Sequence, residues 1–415
     1  MPVAGWLTDP LVLARFVHFA ACSLAAGTAA FAVLAVDGKN DTFARLMRRW
    51  RAIICVAAAI AALSGACWLL LVAAGILDRP IAEALADGGL RSVATGTQFG
   101  QFALARLALA ALLVAPVWPS RLRLAVSLAL IVLIAPAGHA GAQRGPWGDV
   151  HLAADAIHLA AAGAWLGGLP ALALLLGAAR RDPGALAAAA ARTTARFSLL
   201  GIACVALLTA SGIANSWFLL SGPGDLITTP YGKVLALKIA LFAAMLSIAA
   251  ANRFYLTPRL ADPAAMRALQ RNCLAELGLG LAVVFLAAVL GTLAPAAHRH
   301  GNTEIPSDAA FVHIHADAVM ADVTVAPGRV GRADVRIHLS SENLADFSAR
   351  AVHLALRPPE ADRPVVASDA TLAADAVWTV SGIELPRPGI WTAVLSIAPQ
   401  QGAIVELDGP IVISD

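Results

Sequence analysis

Apolar residues run in blocks of about twenty through the first three-quarters of the chain, at about 11–36, 51–77, 98–117, 122–138, 150–177, 195–220, 233–256 and 273–295. Each is long enough to cross a hydrocarbon layer about 30 Å thick. The pattern predicts eight transmembrane helices in residues 1–297. After a linker at about 298–310 the period changes to two, in short runs at 311–316, 333–339, 351–356, 377–380, 390–397 and 403–407. Pro327-Gly328, Pro358-Pro359 and Pro388-Gly389 punctuate them. Alternation between turn residues predicts an antiparallel β-sandwich over 311–415. The predicted class is an all-α polytopic membrane bundle with a C-terminal all-β domain.

The first four apolar blocks, about 11–139, resemble the second four, about 150–298. Arg15-Phe16-Val17-His18-Phe19-Ala20-Ala21 returns as Asp155-Ala156-Ile157-His158-Leu159-Ala160-Ala161, with Gly27 matching Gly167. Ala135-Pro136-Ala137-Gly138-His139 returns as Ala294-Pro295-Ala296-Ala297-His298. Ser64-Gly65 matches Ser211-Gly212, and Phe99-Gly100 with Arg106 matches Tyr231-Gly232 with Lys238. An even number of spans gives both repeats one orientation, related by a pseudo-twofold axis along the membrane normal, and sites in duplicated membrane proteins favour the interface between repeats.

Composition agrees with the pattern. Of 415 residues 59% are hydrophobic and 14% charged, with mean hydropathy +0.74; soluble chains average about 25% charged. The net charge of +3 matters less than its placement. Loops after spans one, three, five and seven carry the basic residues: Lys39, Arg45, Arg48, Arg49 and Arg51; Arg121 and Arg123; Arg180, Arg181, Arg192 and Arg196; Arg253, Arg259, Arg267 and Arg271. The positive-inside rule makes these cytoplasmic. Both termini are then periplasmic, in a bacterial inner-membrane protein whose first span is not a removable signal. The five cysteines lie in or beside apolar blocks without a CxxC and read as small buried hydrophobes. With no P-loop and no large cytoplasmic domain, ATP-driven pumping is not expected. No nucleophile–base pair marks an enzyme, and nothing points to nucleic acid.

The ten histidines carry the candidate chemistry. On this topology none is cytoplasmic or in the inner leaflet. His18 lies about two turns into span one; His139, His151, His158 and His298 lie at or near the outer ends of spans four, five and eight. His151, Asp155, His158 and Trp165 share one face of span five. Polar residues inside a membrane helix usually face a cavity, a partner or a ligand, and imidazole suits copper and zinc. Metal ligation by His158, His18, His151, His139 and His298 competes with plain interhelical hydrogen bonding. Asp155 could orient a ligating imidazole, bind the ion itself, or pair with Arg15 across the interface. Trp165 would wall the site. Arg106 and Lys238 either snorkel to headgroups or bind an anion and set the charge of the site. In the outer domain His313-Ile314-His315 puts two imidazoles on one face of a strand, and with His300 these are secondary metal candidates. Five Met residues without a Met-x-Met pattern argue against a methionine relay.

Gly138-His139-Ala140, His151, Asp155 and the run from His158 to Leu169, His-x6-Trp-Leu-Gly-Gly-Leu, resemble the bacterial copper-resistance protein D (CopD) family. So does Tyr231-Gly232-Lys233-Val234-Leu235-Ala236-Leu237-Lys238, ending in Asn252-Arg253. The resemblance covers most of spans four to eight. It implies an inner-membrane protein of copper uptake or resistance, with the bilayer, copper ions and a periplasmic copper-binding protein as partners. Some relatives carry a fused periplasmic β-domain, which agrees with residues 302–415. The soluble partner's amino-terminal histidine chelate cannot form here, because no histidine stands at a free N-terminus.

The expectation is therefore copper entry from the periplasm at a histidine site in the outer half of the bundle. Two rivals remain. One is a membrane haem protein for electron transfer, with histidines as axial ligands and Arg106 and Lys238 on propionates. The other is a non-transporting copper receptor or assembly factor.

Overall fold

Helix starts coincide with capping signals. Asp9 accepts hydrogen bonds from the amides of Leu11 and Val12 ahead of Pro10, and Asp262 accepts from Ala264 ahead of Pro263. A side-chain acceptor satisfies amides that the first turn leaves open, and proline at the first position has no amide to leave open. The computed structural model describes all residues except 1–2, 37–40, 78–79, 87–88, 116, 139–144, 294, 296–307, 317–318, 342–346, 359–363, 374–376, 401 and 415.

The helical unit runs α1 (Val3–Thr8), α2 (Pro10–Ala30), α3 (Asp41–Leu77), α4 (Ile81–Ala86), α5 (Gly89–Gly96), α6 (Gln98–Val114) and α7 (Ser120–Val132). It continues with α8 (Gly145–Leu166), α9 (Leu169–Arg181), α10 (Pro183–Leu219), α11 (Asp225–Thr228), α12 (Pro230–Ala251) and α13 (Pro263–Leu290). Among the described residues seven helical stretches are long and apolar enough to cross a membrane. The eighth, α6, meets that criterion together with α5, from which it is bent by 89°. These are the eight expected spans. Several are longer than expected, because hydrogen bonding continues past the apolar block. Arg45, Arg48, Arg49 and Arg51 thus lie on α3, Arg192 and Arg196 on α10, and Arg267 and Arg271 on α13, rather than in loops.

The duplication is present in three dimensions. Thr97 caps α6 by accepting from Gly100 at 3.0 Å, and Thr229 caps α12 by accepting from Gly232 at 2.9 Å. At the centre α2 crosses α8. A Cβ on Gly27 would collide with the backbone of Gly163 and Gly167, and one on Gly167 with the backbone of Ser23 and Gly163. Gly27 matches Gly167, and Ser23 matches Gly163, so each repeat presents the same patch to the other. Self-complementary contact of this kind places the pseudo-twofold axis at this crossing. Without a hydrophobic drive between helices in lipid, small residues let backbones approach closely enough for dispersion to hold them. Thr28 Oγ1 adds a hydrogen bond of 3.3 Å to the Gly167 carbonyl.

The repeats differ in closure. In the first, α3 packs on α6; in the second, α10 and α12 border a cavity of about 340 Å³.

The β unit has nine strands: β1 (Ala310–Ala316), β2 (Val319–Ala326), β3 (Gly331–Ser341), β4 (Ala349–Arg357), β5 (Val366–Asp369), β6 (Thr371–Leu372), β7 (Val377–Leu385), β8 (Gly389–Pro399) and β9 (Val405–Ile413). They form two antiparallel sheets, β1-β2-β3-β7-β6 and β5-β4-β8-β9. Val323, Val335 and Ile337 of one sheet share a core with Leu354, Trp391 and Leu395 of the other. Six strands match the expected runs. β2 was not expected, although its buried residues alternate from Ala321 to Val325; β5 and β6 are short edge strands with little apolar signal.

A bulky residue at the α2–α8 crossing should separate the repeats. Gly27→Leu is expected to cost about 3 kcal/mol or more, whereas Gly75→Ala, in open space on α3, should stay within about 1 kcal/mol of wild type. Reversible unfolding in mixed micelles measures both.

Candidate functional site

Each repeat hangs its histidine on the second span of the same repeat. His18, 1% exposed, places Nδ1 3.0 Å from the carbonyl oxygen of Ala61 and 3.4 Å from Ser64 Oγ. A carbonyl only accepts, so Nδ1–H is the donor and Nε2 keeps its lone pair. His158 places Nδ1 3.0 Å from Ser211 Oγ, while the Ser211 hydroxyl donates to the Leu207 carbonyl at 2.6 Å. Nδ1–H therefore donates to Ser211, and Nε2 is again the basic nitrogen. Ser64 donates to the carbonyl of Ile60 in the same way. Gly65 and Gly212 complete the match, since a Cβ on either would lie against the imidazole, at 3.0 Å from His18 Cε1 and 3.6 Å from His158 Cε1.

The charged neighbours also correspond. Arg106 acts on His18 and Lys238 on His158. Arg106 is 2% exposed, stacks over Trp68 at 4.9 Å and donates to the Leu133 carbonyl at 2.9 Å. Among the described residues its Nε and Nη2 have no hydrogen-bond partner. In the second repeat Asp155 faces Lys238 and accepts from Asn215 Nδ2 at 3.3 Å. Arg15 and Asp155 do not pair with each other. Arg15 reaches the end of α13 near Gly291 and lies 5.4 Å from the Trp68 ring. Asp155 lies 4.0 Å from where a Cβ on Gly138 would be. Each equivalent residue thus touches the last span of the opposite repeat, as twofold symmetry requires.

The remaining candidates are dispersed. His151 is buried and stacks on Phe218 with centroids 4.6 Å apart. Trp165 is buried against Phe242 and lines the 340 Å³ cavity. His139, His298 and His300 lie outside the described residues. Among the described residues no three His, Cys, Asp or Glu side chains converge as a metal cluster. In the β unit, His313 pairs in register with Asp322, and Asp322 with His338; His315 pairs with Met320. That cross-strand row was not legible before the hairpin registers were known.

A second polar group was missed by the sequence reading. Asn252 donates to Glu276 Oε1, and Asn272 Nδ2 donates to Asn252 Oδ1 at 2.8 Å. Glu276 is 2% exposed and lines the cavity between α10 and α12 together with Cys273 and Asn252. Lys238 stands near the start of α12 and Asn252 just beyond its end, so this group lies at the end of the bundle away from the histidines. A carboxyl inside an apolar helix was the available signal.

Comparison with known proteins agrees with this architecture. The family profile Copper resistance protein D matches residues 191–290, and the profile Copper resistance protein D-like, N-terminal domain, matches residues 6–149. The chain is 32% identical over 293 residues to Inner membrane protein YebZ of Escherichia coli (strain K12), covering 97% of that protein and 68% of this one. The chain belongs to the copper resistance protein D family. It is also 33% identical over 174 residues to Copper resistance protein D of Pseudomonas syringae pv. tomato, spanning 56% of that relative and 40% of this chain. It is 35% identical over 139 residues to Copper transport protein CutJ of Bacillus subtilis (strain 168), spanning 24% of that relative and 34% of this chain. No solved structure matches. The family membership extends the resemblance read from spans four to eight to the first repeat, and makes this a copper-related, multi-pass inner-membrane protein. Residues 150–190, with His151, Asp155, His158 and Trp165, lie between the two matched stretches.

Ser211→Ala removes the acceptor for His158 Nδ1–H. It should cost about 1 kcal/mol of stability, since polar contacts within membranes average about 0.6 kcal/mol and reach about 1.7. Nitrogen-15 NMR of labelled histidine should show His158 losing its single tautomer, while His18 keeps its own.

Proposed function

We propose that this protein carries copper across the inner membrane, accepting it from the periplasm at the histidines of the two repeats. The observation that supports this most is the fixed tautomer of His18 and His158. An Nδ1–H held by a carbonyl or hydroxyl is the outer-shell contact that metal-bound histidines make, and it leaves Nε2 as the ligating atom. Asp155 beside His158 adds a carboxylate that offsets the charge of an arriving cation. In this reading both termini face the periplasm. A periplasmic copper-binding protein is the partner, and the strand carrying His313 and His315, in register with Asp322 and Met320, is where the β unit would hand over metal.

A path inward is supported by the second repeat. Asp155, His158 and Lys238 stand toward one end of α12, and Asn252, Glu276 and Cys273 line the cavity at the other. Passage without ATP is a channel or carrier process driven by the gradient and by tight cytoplasmic binding.

The haem reading retains one favourable observation, the Arg106 Nε and Nη2, which have no partner among the described residues and would suit a propionate. The spectrum and metal content of protein purified in detergent discriminate the two. Stoichiometric copper without a Soret band, falling at least about 10-fold in affinity in His158→Ala, is the expected result. A Soret band that shifts in His158→Ala would replace transport with electron transfer.

Glu276→Gln keeps the amide contact but removes the ionisable group. Copper entry into proteoliposomes should slow while copper bound by the purified protein is unchanged. Unaltered entry would exclude the cavity from the path.

A further inference from the structure

Cys22 follows His18 by one turn of α2, so the two side chains share a face. Both are enclosed, at 0% and 1% exposure. Cys22 Sγ lies 3.7 Å from His18 Nε2. Because Nδ1–H of His18 is spent on Ala61, Nε2 accepts, and the thiol proton lies between sulfur and nitrogen. The Trp68 ring packs against the imidazole with centroids 5.6 Å apart. Arg106 lies near both His18 and Cys22, and its buried Nε and Nη2 find no acceptor among the described residues. Among those residues, Cys22 is the potential anion that acts on Arg106. The second repeat is built differently, with Ala162 in the place of Cys22 and the Asp155 carboxylate facing Lys238.

We propose that Cys22 and His18 form a binding site for one Cu(I) ion, a site that the second repeat lacks. The inference rests on the reading that the protein handles copper and adds an oxidation state and a ligand set. In the binding step the Cys22 S–H bond breaks, an S–Cu bond and an Nε2–Cu bond form, and the proton leaves to solvent. Copper stays monovalent and the net charge of the site does not change. That neutrality is what lets a cation enter beside Arg106, where an imidazole-only site would add an uncompensated buried charge. The thiolate also supplies the anion that the Arg106 guanidinium lacks. Metal–sulfur and metal–nitrogen bonds of about 2.3 and 2.0 Å span the existing 3.7 Å separation at an angle of about 120°. Little of the helix needs to move, and a third coordination position stays open. Thiolate is a soft ligand that selects Cu(I) over harder ions.

The test is X-ray absorption at the copper edge on full-length protein in detergent, loaded anaerobically with one equivalent of a Cu(I)–acetonitrile complex. A competing Cu(I) chelator gives the affinity. Wild type should show one sulfur and at least one nitrogen neighbour. Cys22→Ser, nearly isosteric, should lose the sulfur neighbour and bind at least about 10-fold more weakly, with its metal-free melting temperature unchanged. Cys67→Ser should keep both properties. A nitrogen- and oxygen-only shell in wild type would overturn the inference, as would sulfur that survives Cys22→Ser and disappears in Cys273→Ser. In either case copper lost in His158→Ala would leave the functional reading standing. Absence of copper binding by wild type and both variants would instead remove that reading itself.

Discussion

The helical unit depends on the close crossing of α2 and α8. Gly27 meets Gly163 and Gly167, and Gly167 meets Ser23, with no room for a Cβ on either side. In lipid this contact cannot be driven by water, and its strength comes from how near two backbones approach. Because the touching residues are equivalents, the crossing fixes the relation of the repeats and everything they carry. His18 and His158 leave this pair of helices in opposite senses, each toward its own second span. That is why the histidines form two related sites instead of one shared cluster, despite the general preference of duplicated proteins for sites between repeats.

Once the frame is symmetric, its departures from symmetry carry the functional content. The two halves share a histidine, a serine that anchors it, and a base. They differ in what balances the base. The second repeat has Asp155 near Lys238, so a carboxylate is already present. The first has Arg15 in that place and the Cys22 thiol beside the histidine. The second half also has a cavity bordered by α10 and α12, with Glu276 and Asn252 lining it.

The spans and the duplication were legible because both are linear properties of the chain: length of apolar block, and matched order of polar exceptions. The Gly27–Gly167 match was visible too, but not that these residues touch, since contact between equivalents follows from the axis and not from the spacing. Basic residues assigned to loops lie on helices because the 3.6-residue pattern continues past the point where hydropathy falls. The candidate site was legible residue by residue but not as an assembly. The face shared by His151, Asp155, His158 and Trp165 is real, yet its members separate along the span. His151 stacks on Phe218, Asp155 faces Lys238, His158 binds Ser211, and Trp165 lines the far cavity. A helical face about 20 Å long meets several neighbours, and sequence spacing says nothing of which. Glu276 was passed over because histidine drew the chemical reading to one end of the bundle.

The bases of the two sites change meaning in this light. Arg106 and Lys238 beside a metal ion would be awkward by themselves, since like charges repel strongly where water is scarce. In the structure each faces a group that can carry negative charge: Asp155 for Lys238, Cys22 for Arg106. On the proposed function, a fixed cation then acts as a selector, disfavouring an ion that brings uncompensated charge over one that displaces a proton or meets a carboxylate.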